Sequence, residues 1–129
     1  MPDTQRDRIP TAAKWARTVG YSRAIRIGSH VYVSGTAAVG PDGKIAHLGD
    51  PYLQAKRCLE IIVDALRDVG ASPRHVVRTR MFVRKPEDWT EVGRAHGEVF
   101  GEALPATTMV CTGFIDPDML VEIEAEAII

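Results

Sequence analysis

Several features that define particular protein classes are scarce in this sequence of 129 residues. Its two cysteines, Cys58 and Cys111, provide neither a disulfide framework nor a zinc ligand set. No apolar run approaches the ~20 residues that a membrane-spanning helix needs, and the polar first eight residues contain no apolar core of a signal peptide. We therefore expect a cytoplasmic protein that has no membrane partner and binds no metal.

The sequence also has no large excess of positive or negative charge, because its 16 Lys and Arg nearly balance its 17 Asp and Glu. No lysine-rich run or alternation of basic and aromatic residues is present, so the sequence argues against a nucleic-acid partner. The chain is 45% hydrophobic and 26% charged, which is typical of a globular protein. We expect a single domain over 1–129, with a loosely ordered arm over 1–13 that contains Pro2 and Pro10.

Apolar periodicity predicts two helices and six strands. The first helix covers 50–69, where Asp50 is a suitable N-cap, Pro51 suits the first turn and Gly70 ends the helix. The second helix covers 87–100. The strands are predicted at 24–27, 30–34, 44–46, 75–84, 105–110 and 120–129. This order predicts an α+β fold, a mostly antiparallel sheet with both helices on one face.

Two of these strands predict a charged sheet face. In 75–84, Val77, Thr79, Met81 and Val83 share one face, and Val76, Arg78, Arg80, Phe82 and Arg84 share the other. In 120–129, three glutamates alternate on one face: Glu122, Glu124 and Glu126. Carboxylates ~7 Å apart repel one another unless cations oppose them, so we expect the three arginines to face them. Because apolar side chains share this face, we expect a second subunit to cover it.

Four segments carry a resemblance to a known family. They are 104–110 (Leu-Pro-Ala-Thr-Thr-Met-Val), 120–125 (Leu-Val-Glu-Ile-Glu-Ala), 31–35 (Val-Tyr-Val-Ser-Gly) and 76–79 (Val-Val-Arg-Thr). Together with the long first helix they resemble the RidA (YjgF, reactive intermediate deaminase) family. The resemblance implies a chorismate-mutase-like α+β subunit, a homotrimer and ligand sites between subunits. It also implies cofactor-free hydrolysis of reactive imines and enamines.

The resemblance fails at two polar positions of the family pocket. In the deaminase-active branch an arginine follows the Pro-Ala pair and binds the substrate carboxylate, whereas here Thr107 follows Pro105-Ala106. An asparagine common early in the second helix is replaced by Gly93. The chain is thus similar to a divergent member, whose substrate differs from amino-acid-derived imino acids or whose anion is held by other residues.

Other positions match the family site. The resemblance implies that Glu122 is the catalytic, water-orienting carboxylate; the alternative is that Glu122 is one rung of an Arg–Glu interface. The candidate substrate-binding residues at or near family pocket positions are Tyr21, Ser34, Gly35, Thr107, Met109, His96 and Arg94. The alternative for Tyr21 is a half-buried aromatic at the start of a strand. The candidates for a replacement cation or hydrogen-bond donor are Arg23, Arg26, Arg94 and His96.

Three functions remain open from the sequence. The first is a hydrolase or deaminase of a small imine, enamine or related reactive metabolite. The second is a non-catalytic trimer that binds a small molecule or regulates a partner. The third, an endoribonuclease, has the least support because the charge pattern lacks a basic surface.

Overall fold

The computed structural model describes residues 5–129, which contain six strands, three α-helices and two short 3-10 helices (Pro73–His75 and Pro86–Asp88). The strands are β1 (Arg6–Ile9), β2 (Ala24–Ile27), β3 (His30–Thr36), β4 (Val76–Val83), β5 (Ala106–Cys111) and β6 (Val121–Ile128). The α-helices are the single turn α1 (Ala16–Val19) and the two main helices α2 (Pro51–Asp68) and α3 (Trp89–Phe100). All strands form one sheet in the order β1-β2-β3-β6-β4-β5. Only the β4–β5 pair is parallel in the sheet described, so the predicted α+β, mostly antiparallel fold is confirmed.

Helix α2 forms where the apolar periodicity predicts it. The Asp50 carboxylate accepts a hydrogen bond from the Leu53 amide at 3.0 Å, and Pro51 occupies the first turn. One face of the helix is buried against β3 and β6 through Cys58, Ile62 and Leu66, among others. The opposite face is polar, and no helix in the part of the chain described is both long and apolar enough to cross a membrane. Burial of one helix face thus fixes which side of the sheet is covered.

The other side of the sheet, which we call the open face, carries the alternating charges of β4 and β6. The register places Glu122 opposite Phe82, Glu124 opposite Arg80 and Glu126 opposite Arg78. Arg80 donates to both Glu124 and Glu126, at 3.1 and 3.2 Å. The predicted pairing of arginines with glutamates is therefore confirmed for Arg80.

Arg78 lies opposite Glu126, as predicted, but its hydrogen bond goes to another residue, and the prediction is wrong for Arg84, which faces no glutamate. Arg78 donates to the Thr108 hydroxyl at 3.2 Å. Arg84 donates to the backbone carbonyls of Met119 and Asp116, both at 2.7 Å, and thereby holds the loop between β5 and β6. Backbone carbonyls at the strand end lie nearer to Arg84 than any glutamate does, because β6 begins only at Val121.

Two strand predictions differ from the structure. No strand forms at 44–46, where a single bridge between Val39 and Ile45 closes the turn instead. A strand forms instead within the predicted loose arm, because Arg6–Ile9 pairs with the free edge of β2. Backbone pairing with an available edge stabilises a segment that shows no apolar alternation. The part of the predicted arm that precedes residue 5 lies outside the described residues.

A β-bulge reverses two side chains at the start of β4. The register with β6 shifts between Val76 and Arg78. As a result Val76 is 2% exposed and Val77 is 42% exposed, so the predicted faces of these two residues are wrong. Thr79, Met81 and Val83 are buried on the helix-covered face as the alternation predicts.

Candidate functional site

Glu122 lies on the open face against an interruption in the neighbouring strand. The register between β3 and β6 shifts between Val33 and Thr36, and Gly35 lies within this interruption. A side-chain carbon on Gly35 would collide with the Glu122 carboxylate oxygen Oε1 and would lie 3.1 Å from its Cδ. Glycine is therefore required here so that the carboxylate can lie over the strand backbone.

The environment of Glu122 favours its protonated form. Burial raises the pKa of this half-buried carboxyl, the nearby charge of Glu124 raises it further, and the charge of Arg23 opposes both. Within residues 5–129 the carboxylate forms no ion pair or hydrogen bond, in contrast to Glu124 and Glu126. A carboxyl with a raised pKa and no partner within the protein is suited to exchange a proton with a bound molecule.

Arg23 fixes the strand end beneath the carboxylate. Its Nη2 donates to the carbonyls of Ser34 and Gly35, at 2.7 and 2.8 Å, and to the Thr36 hydroxyl at 2.7 Å. Burial lowers the pKa of the guanidinium, an effect that the acidic neighbours Tyr21, Cys58 and Glu122 oppose. One guanidinium thus joins three consecutive residues where regular strand pairing is interrupted.

Tyr21 and Ser34 line a groove beside this strand end. The groove has a volume of about 550 Å³ and is bounded by β1, the residues after α1, β2 and β3. The Ser34 hydroxyl donates to the Ser22 carbonyl at 2.7 Å, which joins the groove wall to the interrupted strand. The structure therefore brings four of the predicted residues into one region, which we call the Glu122 group: Tyr21, Ser34, Gly35 and Glu122.

A second set of predicted residues lies around the edge strand β5. Thr107 and Met109 are in register with the buried Thr79 and Met81, which places both on the helix-covered face. His96 extends from α3 toward the same place. We call Thr107, Met109 and His96 the Thr107 group.

Hydrogen bonds link the Thr107 group to the core. The Thr79 hydroxyl lies 2.8 Å from His96 Nε2 and 2.8 Å from the Thr107 hydroxyl. The exposed Thr107 hydroxyl also lies within hydrogen-bond distance, 3.1 Å, of the Pro105 carbonyl. Burial lowers the pKa of His96, which favours the neutral ring. In the sequence, Thr79 is a polar residue on an otherwise apolar strand face. This pattern could have indicated that its hydroxyl has hydrogen-bond partners.

Within one protomer the two groups lie on opposite faces of the sheet. Glu122 is on the open face, whereas Thr107 and Met109 are on the helix-covered face. A single chain therefore does not bring all the predicted residues into one pocket.

The remaining candidate cations have other partners. Arg26 donates to the carbonyls of Gly28 and Val69, at 2.8 and 2.5 Å, and so caps the end of α2. Arg94 lies on the exposed side of α3, where it pairs with Glu91 and stacks 3.6 Å from the Tyr52 ring. Of the predicted cations, Arg23 is the one that lies next to the Glu122 group.

The described residues offer no metal ligand set, and the buried thiol of Cys58 is not activated. No group of three or more His, Cys, Asp or Glu side chains within 5–129 is arranged to hold a metal ion. Burial in the core strongly raises the pKa of the Cys58 thiol, which makes a thiolate unfavourable.

The fold and the strand-end carboxylate define a small α+β subunit of the RidA type. A family model described as Endoribonuclease L-PSP matches residues 11–129. In structure the chain is similar to Rv2704 of Mycobacterium tuberculosis, a member of the YjgF/YER057c/UK114 family. The two are 39% identical with a TM-score of 0.87 over 97% of this chain and 100% of that one. The chain belongs to this family, the RidA (YjgF) family, and the resemblance seen in the sequence is confirmed.

Two relatives are similar over most of their length. An uncharacterized protein of Streptomyces coelicolor is 38% identical over 121 residues, which cover 93% of this chain and 90% of the relative. The 3-aminoacrylate deaminase RutC of Acinetobacter baylyi is 32% identical over 107 residues, which cover 83% and 85% of the two chains. The relatives of this chain therefore include a 3-aminoacrylate deaminase that is 32% identical to it.

Proposed function

We propose that this protein is a cofactor-free hydrolase that deaminates a small imine or enamine in clefts between the subunits of a homotrimer. The observation that carries the proposal is the Glu122 carboxyl, which is half-buried, has a raised pKa and lies over Gly35. The deaminase activity of the similar protein RutC supports the same reaction class.

The proposed chemistry requires one group that moves protons. Protonated Glu122 first protonates an enamine at carbon to give the iminium ion. Water then adds to the iminium carbon while the Glu122 carboxylate accepts a proton from that water, which gives a carbinolamine. Glu122 passes this proton to the nitrogen, the C–N bond breaks and ammonia leaves, and the hydroxyl proton returns to Glu122 as the carbonyl compound forms. The raised pKa of Glu122 suits a group that must both accept and donate a proton.

A homotrimer would unite the two groups of candidate residues. A pocket that contains both requires the Glu122 group of one protomer to meet the Thr107 group of another. Exposed apolar side chains on the open face, among them Val77 and Val110 at 42% and 44% exposure, favour burial against further copies of the chain. Closed cyclic symmetry would repeat the same pocket at every interface.

The substrate is proposed to differ from amino-acid-derived imino acids. Thr107 occupies the position of the family arginine that binds a carboxylate, and a hydroxyl carries no charge. Arg23, the nearest cation to Glu122, has its Nη2 engaged by Ser34, Gly35 and Thr36. A substrate that lacks a carboxylate fits this arrangement better.

Ammonia release tests the proposal. We expect the protein to hydrolyse a carboxylate-free imine generated in situ, and to hydrolyse 2-aminoacrylate more slowly. Glu122→Gln should lower the rate by about 10²–10⁴-fold, because the proton acceptor is lost. Glu126→Gln is the matched control, since Glu126 pairs with Arg80 on the same strand face, and it should retain activity. Equal rates for the wild type and Glu122→Gln would refute the proposal.

A non-catalytic binding trimer is the second candidate. The hydrogen bonds of the Thr107 hydroxyl to Thr79 and Pro105 favour it, because this hydroxyl is engaged within the protein. In that case the wild type would release no ammonia from any imine, and a bound small molecule would stabilise the wild type and Glu122→Gln alike.

A further inference from the structure

The hydrogen bonds around Thr107 determine what its hydroxyl can offer to a ligand. Three contacts form a chain: His96 Nε2 to the Thr79 hydroxyl, Thr79 to Thr107, and Thr107 to the Pro105 carbonyl. Each hydroxyl has one proton and can accept with two lone pairs, whereas the carbonyl can only accept. The direction of each bond therefore constrains the next one along the chain.

Only one arrangement satisfies all three contacts. Thr107 donates its proton to Pro105, Thr79 donates to Thr107, and His96 donates from Nε2 to Thr79. A protonated His96 enforces the same direction, because both of its ring nitrogens carry protons.

The other tautomer of neutral His96 reverses two bonds. Nε2 then accepts from Thr79, so Thr107 must donate to Thr79 and releases the Pro105 carbonyl. In both arrangements the Thr107 proton is used within the protein. Thr107 then has one unused lone pair in the first arrangement and two in the second, where the Pro105 carbonyl also becomes available as an acceptor.

We infer that the Thr107 end of the site selects ligands by a hydrogen-bond donor, an N–H or O–H group, and disfavours a carboxylate. The inference rests on the proposed function, in which Thr107 faces the cleft. The ligand class is a small carbonyl, imine or enamine compound that carries a primary amide or a hydroxyl beside the reacting carbon. An arginine at this position would impose the opposite preference, because guanidinium has five donors and no acceptor.

Three small probes separate charge from hydrogen-bonding direction. Pyruvate carries a carboxylate, pyruvamide a neutral N–H donor, and methyl pyruvate a neutral group that only accepts. Their dissociation constants can be measured by titration calorimetry or ligand-observed NMR with the wild-type protein. We expect pyruvamide to bind roughly fivefold to tenfold more tightly than methyl pyruvate, the effect of about one net hydrogen bond, and pyruvate to bind most weakly.

Substitutions at Thr107 connect the preference to this hydroxyl. Thr107→Val should abolish the advantage of pyruvamide over methyl pyruvate, and Thr107→Ser should retain it. Thr107→Arg should make pyruvate the preferred probe. Thr108→Val is the matched control, because Thr108 lies on the opposite face of the same strand, and it should leave the order of affinities unchanged.

Three outcomes overturn the inference. If the probes bind but methyl pyruvate or pyruvate equals or exceeds pyruvamide, the selection of donors is refuted while the proposed hydrolase stands on its ammonia assay. The inference is also refuted if Thr107→Val keeps the preference for pyruvamide. If no probe binds, the inference is refuted, and if the ammonia assay is negative as well, the proposed function fails with it.

Discussion

The fold holds Glu122 in a place that disfavours its charge. Its pKa is raised in the folded protein by burial and by Glu124, so the folded state binds a proton more tightly than the unfolded chain does. Glu122 therefore supports stability fully only below its unfolded pKa of ~4.3, and this contribution is lost as the pH rises through the folded pKa. Above the folded pKa the ionised carboxylate opposes folding.

Replacing Glu122 by glutamine should therefore stabilise the protein at neutral pH. We expect the melting temperature of Glu122→Gln to exceed that of the wild type by roughly 2 °C at pH 7.5, with a smaller difference at pH 4. Thermal unfolding at both pH values measures this. Glu126→Gln, which loses an ion pair with Arg80 and is not among the causes of the raised pKa of Glu122, should show no such gain. A lower melting temperature for Glu122→Gln at pH 7.5 would contradict the sign of the pKa shift.

Arg23 should be a major determinant of stability at the strand end. Arg23→Met leaves the Ser34 and Gly35 carbonyls and the Thr36 hydroxyl without this donor, so we expect a loss of about 2–4 kcal/mol in the free energy of unfolding. Urea denaturation at fixed protein concentration measures it. The exposed Arg74 is the control, and Arg74→Met should change stability by less than about 0.5 kcal/mol. Equal effects of the two substitutions would exclude this role for Arg23.

The sequence could indicate Glu122 and Gly35 but not the part played by Arg23. The glutamate and glycine belong to a pattern of residues that resembles a family. The three acceptors of Arg23 exist as a set only because β3 is interrupted between Val33 and Thr36. An interruption of this kind depends on the partner strand, and alternation within β3 alone does not reveal it.

At the scale of elements, Gln54 connects α2 to the loop that precedes β6. This side chain is fully buried, and its Nε2 donates to the His47 and Asp118 carbonyls while its Oε1 accepts from the Leu120 amide. Every polar atom of the side chain thus serves the backbone. Because Glu122 follows two residues after Leu120, this contact helps to fix where β6 begins.

Gln54→Met should destabilise the protein while preserving side-chain volume. The substitution leaves buried backbone groups without partners, and we expect a loss of about 2–3 kcal/mol together with faster amide hydrogen exchange at Leu120. Denaturation and hydrogen-exchange measurements check both effects. On the same helix, Lys56→Met removes only a partly exposed ion pair with Glu98 and should cost less than about 1 kcal/mol. Unchanged exchange at Leu120 would argue against the connection.

Elements with strong periodicity could be predicted, and elements formed by edge pairing could not. The prediction of a helix over 50–69 agrees with α2, and the alternation in 120–129 agrees with β6. The predicted number of strands is right although one strand was placed wrongly, since β1 takes the place of the strand expected at 44–46. Pairing of β1 depends on an edge of β2 that only the folded sheet provides.

At the scale of the molecule, the open face should control assembly. Val110→Asp places a charge among exposed apolar side chains, and we expect it to shift the proposed trimer toward monomers in sedimentation velocity experiments. Leu53→Asp is the control, because Leu53 is exposed on α2 and away from this face, and it should leave the assembly unchanged. A wild-type protein that sediments as a monomer at all concentrations would refute the trimer.

The separation of Glu122 and Thr107 onto opposite faces of one sheet has a consequence for hybrid assemblies. In the proposed trimer, Glu122→Gln damages one half of each pocket and Thr107→Trp blocks the other half. If equal amounts of these two inactive chains are refolded together, about one quarter of the pockets combine Glu122 from the Thr107→Trp chain with Thr107 from the Glu122→Gln chain. Those pockets have both halves intact. Complementation between two defective chains would thus recover activity that neither chain has alone.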